Sequence, residues 1–135
     1  MYRSSPIMKW RLYNDRYQLE GNKCVKCGKM FYPKAFLCSC GSREFHKHVF
    51  SGQGKLVSFT EIKTPPEKFS DYAPFCIGLV ELTEGPRILA QIADADFKDL
   101  SLGLEMQASF RKFYASGESG IIHYGLKFAP AFQRK

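Results

Sequence analysis

The sequence predicts a mainly β protein that opens with an α-helix, continues in a small metal-clamped module and ends in a five-stranded barrel. Three observations predict this. Four of the five cysteines fall into two tight pairs between residues 24 and 40. From Lys55 onward apolar residues alternate at a period of two, the spacing of a strand with one buried face. Five such runs lie between residues 55 and 128, divided by Gly and Pro turn signals, and five short strands suit a small Greek-key barrel of OB type. The expected boundaries are a helical arm over 1–22, the cysteine module over 23–50 and the barrel over 51–135.

The chain has 135 residues, 44% hydrophobic, 24% charged and 15% aromatic. That composition belongs to a globular chain with a real core and excludes a disordered one. The length leaves room for one small module beside one compact barrel.

In the arm, Ile7, Trp10, Leu12, Tyr13 and Tyr17 recur at roughly helical spacing. Ser5-Pro6 marks a start, with Pro in the first turn, and Gly21-Asn22 an end. An aromatic helix face must pack on something. It either folds onto its own domain or inserts into a partner, and in the second reading Trp10, Arg11 and Tyr13 are contact residues.

The module carries Cys24-Val-Lys-Cys27-Gly and, after ten intervening residues, Cys38-Ser-Cys40-Gly. The two-residue gap of the first pair lets both thiolates face one ion, and the following Gly permits the tight turn. Four thiolates close a tetrahedral site with no open position, so the expected cofactor is one structural Zn2+ per chain on Cys24, Cys27, Cys38 and Cys40. The second pair is separated by one residue only, and His46 or His48 is the alternative to Cys38 as a ligand. A module of this size has little core, so the metal supplies folding energy.

The barrel strands are expected at 55–62, 73–82, 87–93, 105–115 and 121–128, with a short helical turn near 96–100. Cys76, in an apolar run, reads as a small buried thiol. Asp96 reads as a helix cap with Asp99 in the first turn. Alternation places His123 on the face opposite Ile122, Tyr124, Leu126 and Phe128, as a surface histidine. Phe110, Phe113 and Tyr114 interleave with Arg111 and Lys112, which would suit base stacking on an OB surface or the barrel core. No nucleophile elbow, phosphate loop or dinucleotide fingerprint occurs.

Net charge is +7, and its excess is uneven: residues 1–50 hold 10 Lys/Arg against 3 Asp/Glu, and residues 51–135 hold 10 of each. A basic module on a neutral body implies one face that meets an acidic partner, CoA phosphates or nucleic acid. Lys26, Lys29 and Lys34 are candidate contacts there, together with Lys23, Arg43 and Lys47. The N-terminus lacks the apolar stretch of a signal peptide, and no run reaches the roughly 20 apolar residues of a membrane span. The expected place is the cytoplasm, where five cysteines imply metal or free thiols.

Together the motifs resemble the domain-of-unknown-function family thirty-five, a rubredoxin-like zinc ribbon joined to an OB-fold. The resemblance rests on Arg16-Tyr-Gln-Leu-Glu-Gly, Cys24-Val-Lys-Cys-Gly-Lys-Met-Phe-Tyr-Pro, Cys38-Ser-Cys-Gly-Ser and Gly54-Lys-Leu-Val-Ser-Phe-Thr. Pro65-Pro66, Glu81-Leu-Thr-Glu-Gly-Pro-Arg-Ile-Leu-Ala-Gln, Leu102-Gly-Leu-Glu-Met and Tyr124-Gly-Leu-Lys-Phe-Ala-Pro complete it. It spans about residues 7 to 131. The family usually shows two residues within the second cysteine pair, where this chain has one.

The resemblance implies an accessory subunit of thiolase-superfamily enzymes, and the archaeal-looking pattern implies partners of acetoacetyl-CoA thiolase and HMG-CoA synthase type, in the mevalonate pathway. Acetoacetyl-CoA formation is unfavourable, so direct transfer to the next enzyme would help. It implies no catalytic residue, and the expectation is a scaffold rather than an enzyme. The competing expectation is an acyl-CoA or single-stranded nucleic-acid binding module. Nucleic acid is disfavoured by the neutral barrel half.

Overall fold

A computed structural model describes residues 5–115 and 117–131. The chain forms two compact units that divide between Ser51 and Gly52.

The first unit opens with two short helices, α1 (Pro6–Arg11) and α2 (Tyr13–Tyr17). Ser5 caps α1 by accepting a hydrogen bond from the Met8 N–H (3.3 Å), with Pro6 in the first turn. The helical spacing over 7–20 is therefore realised in two pieces, broken at Leu12 and finished by Gln18. Leu19 then takes a left-handed conformation (φ 50°) that turns the chain out of the helix. Gly21 and Asn22, expected to end the helix, lie instead in β1 (Glu20–Cys24). Gly21 is there because a Cβ at that position would sit 2.2 Å from the carbonyl oxygen of Phe31. Strand β1 pairs antiparallel with β2 (Met30–Phe31) on one side and β3 (Phe45–Val49) on the other. Leu19, Cys24, Cys38 and Phe50 form the small core of this unit, and the Phe50 N–H donates to the Leu19 carbonyl (3.0 Å).

Two clips tie the β2–β3 connection to the rest. The Asn22 side chain is buried and donates to the Ala35 carbonyl (2.7 Å) while accepting from the Ala35 N–H (3.1 Å). Lys34 reaches both Asp15 in α2 and Glu20 in β1, at 2.7 Å each. Tyr32 adds a hydrogen bond from its hydroxyl to the Asp15 carbonyl (3.0 Å).

The second unit is a closed barrel of five strands in the order β4-β5-β6-β8-β7. They are β4 (Gln53–Ile62), β5 (Phe75–Leu82), β6 (Arg87–Ile92), β7 (Glu105–Ala115) and β8 (Ile122–Pro130). β4 pairs with β7, and a parallel contact of β6 with β8 at Ile92 and Phe128 completes the ring, so the sheet has no free long edge. Alternation along β5 is complete: Cys76, Gly78, Val80 and Leu82 are buried and their neighbours are half-buried. Leu56, Val80, Leu82, Met106 and Phe128 form the centre of the core. Cys76 is buried at its edge, as the apolar run around it predicts.

Two expectations change in this unit. Asp96 does precede a short 3-10 turn, Phe97–Asp99, but its side chain makes no capping hydrogen bond, and the turn is held by the Asp99 N–H on the Asp96 carbonyl (2.9 Å). His123 is not on the surface: it is buried and stacks on Tyr114 with ring centres 4.2 Å apart. The 3-10 helix Glu67–Tyr72 packs on this stack through Phe69, which meets Tyr114 edge-on. Alternation gives the face of a residue, but not what a long connection lays over that face. Among the described residues no helix is long and apolar enough to cross a membrane.

Candidate metal centre

Cys24 ends β1, Cys27 follows it in a turn, and Cys38 and Cys40 come from the loop before β3. Their sulfurs all lie within 4.8 Å of one another. Cys24 and Cys40 are 3.6 Å apart, and Cys27 and Cys38 are 3.3 Å apart. A tetrahedral ion with metal–sulfur bonds of about 2.3 Å separates its sulfurs by about 3.8 Å. The four thiols bracket that spacing and can hold one metal ion. His46 is exposed on β3 and the His48 ring packs edge-on against Phe50, and neither joins the group.

Backbone geometry explains how a shortened second pair still converges. In the first knuckle the Gly28 N–H closes on the Cys24 carbonyl (3.1 Å) and the Cys24 N–H on the Lys29 carbonyl (2.9 Å). In the second, the Gly41 N–H closes on the Cys38 carbonyl and the Cys38 N–H on the Ser42 carbonyl, both at 2.9 Å. The second turn is the same device tightened by one residue. Both glycines take a positive φ, 74° and 86°, which a side chain would strain.

The same turns aim N–H groups at sulfur. Those of Cys27 and Lys26 pull the Cys24 thiol down to about 6, and that of Cys40 lowers Cys38. Cys27 receives the Lys29 N–H, yet the neighbouring thiols, Cys38 foremost, and burial push it up to about 12. Four sulfurs this close cannot all ionise unaided, and a divalent cation removes that conflict. Four protein ligands would leave such an ion no position for a substrate.

The candidate contact residues do not converge on this centre. Trp10 is 79% exposed, and Arg11 and Tyr13 are also exposed on the helices. Lys26 is exposed within the first knuckle, and Lys29 lies over the Phe31 ring at 5.6 Å. Lys34 is engaged by Asp15 and Glu20, whose carboxylates hold its pKa above the ordinary lysine value. Sequence reasoning missed Asn22, which it read as part of a helix end, and Phe36-Leu37, which stand immediately before the second knuckle.

In the barrel, Phe110 stacks on Tyr124 (5.4 Å, 12° between planes) and both are exposed. Phe113 packs where a Gly125 side chain would stand. A cavity of about 500 Å³ opens beside Cys76, lined by Glu61, Ile92, Asp96, Phe97 and Lys98 among others. Burial, then Glu61 and Asp96, raise the Cys76 pKa, which is the reverse of an activated nucleophile.

Residues 48–111 match the family model of the ChsH2 C-terminal OB-fold domain. Over 126 residues the chain is 40% identical to a DUF35 domain-containing scaffold protein of Methanothermobacter thermautotrophicus, covering 92% of this chain and 95% of the relative. It is 37% identical over 82 residues to the benzoylsuccinyl-CoA thiolase subunit BbsA of Thauera aromatica, covering 57% and 53% of the two chains. A chain of the solved Ltp2-ChsH2(DUF35) aldolase is similar in structure, with a TM-score of 0.72, 22% identity and 98% of both chains covered. At that identity the likeness is one of fold.

Proposed function

Because this chain belongs to the family of DUF35 domain-containing scaffold proteins, we propose that it is a non-catalytic accessory subunit bridging an acetoacetyl-CoA thiolase and an HMG-CoA synthase. It would place their two CoA sites close enough for acetoacetyl-CoA to pass between them, as a step of the mevalonate pathway in the cytoplasm. The scaffold role is supported by the relative from Methanothermobacter. The thiolase-type partner is supported by the likeness to BbsA, named a thiolase subunit. The single structural observation that carries the reading is the arm: neither α1 nor α2 contains a buried residue, while Ile7, Trp10 and Tyr13 are exposed at 63%, 79% and 48%. Large apolar side chains held on two short helices, the first capped by Ser5, with Lys9 and Arg11 beside them, suit an anchor that a partner covers. The ion held by Cys24, Cys27, Cys38 and Cys40 would be one structural Zn2+, which soft thiolate ligands in a closed set favour.

Co-expression of the chain with the thiolase-type and synthase-type proteins of the same organism tests this. One complex containing all three on size exclusion, and less free acetoacetyl-CoA during coupled turnover, are expected. A chain that elutes alone from both enzymes overturns it.

Direct binding of a CoA ester is the second reading, favoured by the uncompensated cations of the first unit. Among its described residues, Lys23, Lys26, Arg43 and Lys47 take part in no ion pair. Calorimetry of the isolated chain with CoA esters separates the two readings, and single-stranded nucleic acid is the control, with its steep salt dependence.

A further inference from the structure

Three large apolar side chains stand out on the two knuckles: Val25 inside the first, and Phe36 and Leu37 directly before the second. They are 46%, 91% and 58% exposed, and Phe36 is the most exposed large hydrophobic residue among those described. Single exposed apolar residues are ordinary on a soluble protein. These differ in how they are held. Ala35 is clamped through both its N–H and its carbonyl by the buried Asn22 side chain. Cys38 is fixed by its sulfur at 3.3 Å from Cys27 and by its N–H on the Ser42 carbonyl. Phe36 and Leu37 are the two residues between these fixed points, so the chain is ordered on both sides of them and still turns them outward. Val25 is fixed likewise, its N–H on the Glu44 carbonyl (3.2 Å).

Cations outnumber acids in this unit. Of the three acids described in this unit, Asp15 and Glu20 are both taken by Lys34, and Glu44 is exposed beside Arg43. Lys26, next to Val25, and Arg43, beyond the second knuckle, are exposed and in no ion pair among the described residues. An apolar tip flanked by more cations than acids, Lys26 and Arg43 against Glu44, is complementary to an apolar socket rimmed by carboxylates.

We infer that the ribbon tip, with Phe36 as its anchor and Leu37 and Val25 beside it, docks into an acid-rimmed apolar socket on the thiolase-type partner. This rests on the scaffold reading above and adds to it a surface separate from the α1–α2 arm. Pre-ordering by Asn22 and the cysteine cluster lowers the entropic cost of docking. The cations then set the encounter rate and its salt dependence.

The test compares the full-length wild-type chain with Phe36→Ala, Leu37→Ala and Lys26→Glu variants, each titrated against the purified thiolase-type enzyme of the same organism. Metal content and thermal unfolding are measured alongside, and both should match wild type because the side chains removed are exposed. Phe36→Ala should weaken binding by at least about 30-fold. Lys26→Glu should slow association and flatten its salt dependence. A wild-type chain that binds while Phe36→Ala binds equally well overturns the docking proposal and leaves the scaffold reading standing. A wild-type chain that binds no thiolase-type enzyme overturns both. Should Phe36→Ala disturb the metal content, Phe36→Leu, which keeps an apolar side chain, should restore it and still bind at least about 3-fold more weakly than wild type. Equal binding there counts against the anchor.

Discussion

The sulfur of Cys38 lies 3.3 Å from that of Cys27, although its own knuckle is one residue shorter than the other. The short knuckle succeeds because Gly41 closes on the carbonyl three residues back, where Gly28 closes on the one four back. Four cysteines, with no histidine, are therefore the expected ligand set. Purified protein should carry one zinc per chain, and Cys38→Ser should lose it while His46→Ala and His48→Ala keep it. Elemental analysis of the three variants decides this.

Structural zinc in small modules contributes on the order of 10 kcal/mol or more of apparent folding free energy at neutral pH. Exhaustive chelation should therefore unfold the first unit. The barrel, with its own core of Leu56, Val80, Leu82, Met106 and Phe128, should stay folded. Amide exchange read by mass spectrometry should show protection lost over 20–50 and retained over 53–130. Retained protection in both segments would mean that the sulfur cluster contributes no stability.

What the sequence revealed of this molecule, and what it hid, divides along a physical line. Period-two alternation and turn residues located all five barrel strands to within a few residues, because each strand buries one face against a single core. The cysteine spacing identified the cluster, because thiolate geometry is local. The arm was misjudged in its last turn: Gly21 looks like a helix terminator, but it serves the close approach of β1 to the Phe31 carbonyl, a contact between distant residues. His123 was misjudged for the same kind of reason, since it is buried against Tyr114, on which Phe69 packs from a connection far away in the chain. The Asn22 clamp on Ala35 leaves no periodic trace at all.

Gly21 gives a direct check. A methyl group there would stand 2.2 Å from a backbone oxygen and 2.5 Å from the Phe50 ring, and neither the strand nor the buried ring can move aside cheaply. Gly21→Ala should destabilise the first unit by about 1–3 kcal/mol. It should also speed zinc loss to a chelator, with barrel unfolding unchanged. A neutral result would show that β2 can shift away from β1.

Lys34 joins α2 to β1 through Asp15 and Glu20, and the Glu20 side chain is only 10% exposed. Removing the cation leaves that carboxylate poorly solvated without a partner, so Lys34→Met should cost the first unit about 1–2 kcal/mol. High salt should narrow the gap between variant and wild type only in part, because Glu20 is mostly buried. The denaturant midpoint followed by Trp10 fluorescence, at low and high salt, measures both effects.

Lys127 supplies the pH-dependent case. The residue is only 7% exposed, and its ammonium lies 5.2 Å from the centre of the Tyr72 ring and 5.8 Å from that of Phe113. Burial, and then the charge of Arg111, lower its pKa from 10.5. In the unfolded chain the ordinary value returns, so between the lowered value and 10.5 the unfolded state holds more protons than the folded one. Stability from this group therefore rises with pH across that window and is constant below it. Lys127→Met removes the group, so wild-type barrel stability should gain on the variant as pH climbs toward 10.5. The slope from one such group is at most about 1.4 kcal/mol per pH unit. Urea midpoints of both proteins from pH 7 to 10.5 measure it. A difference that stays flat over that range would mean the ammonium is as well solvated in the barrel as in the open chain. A difference that shrinks would mean the Tyr72 and Phe113 rings stabilise the charge by more than burial and Arg111 oppose it.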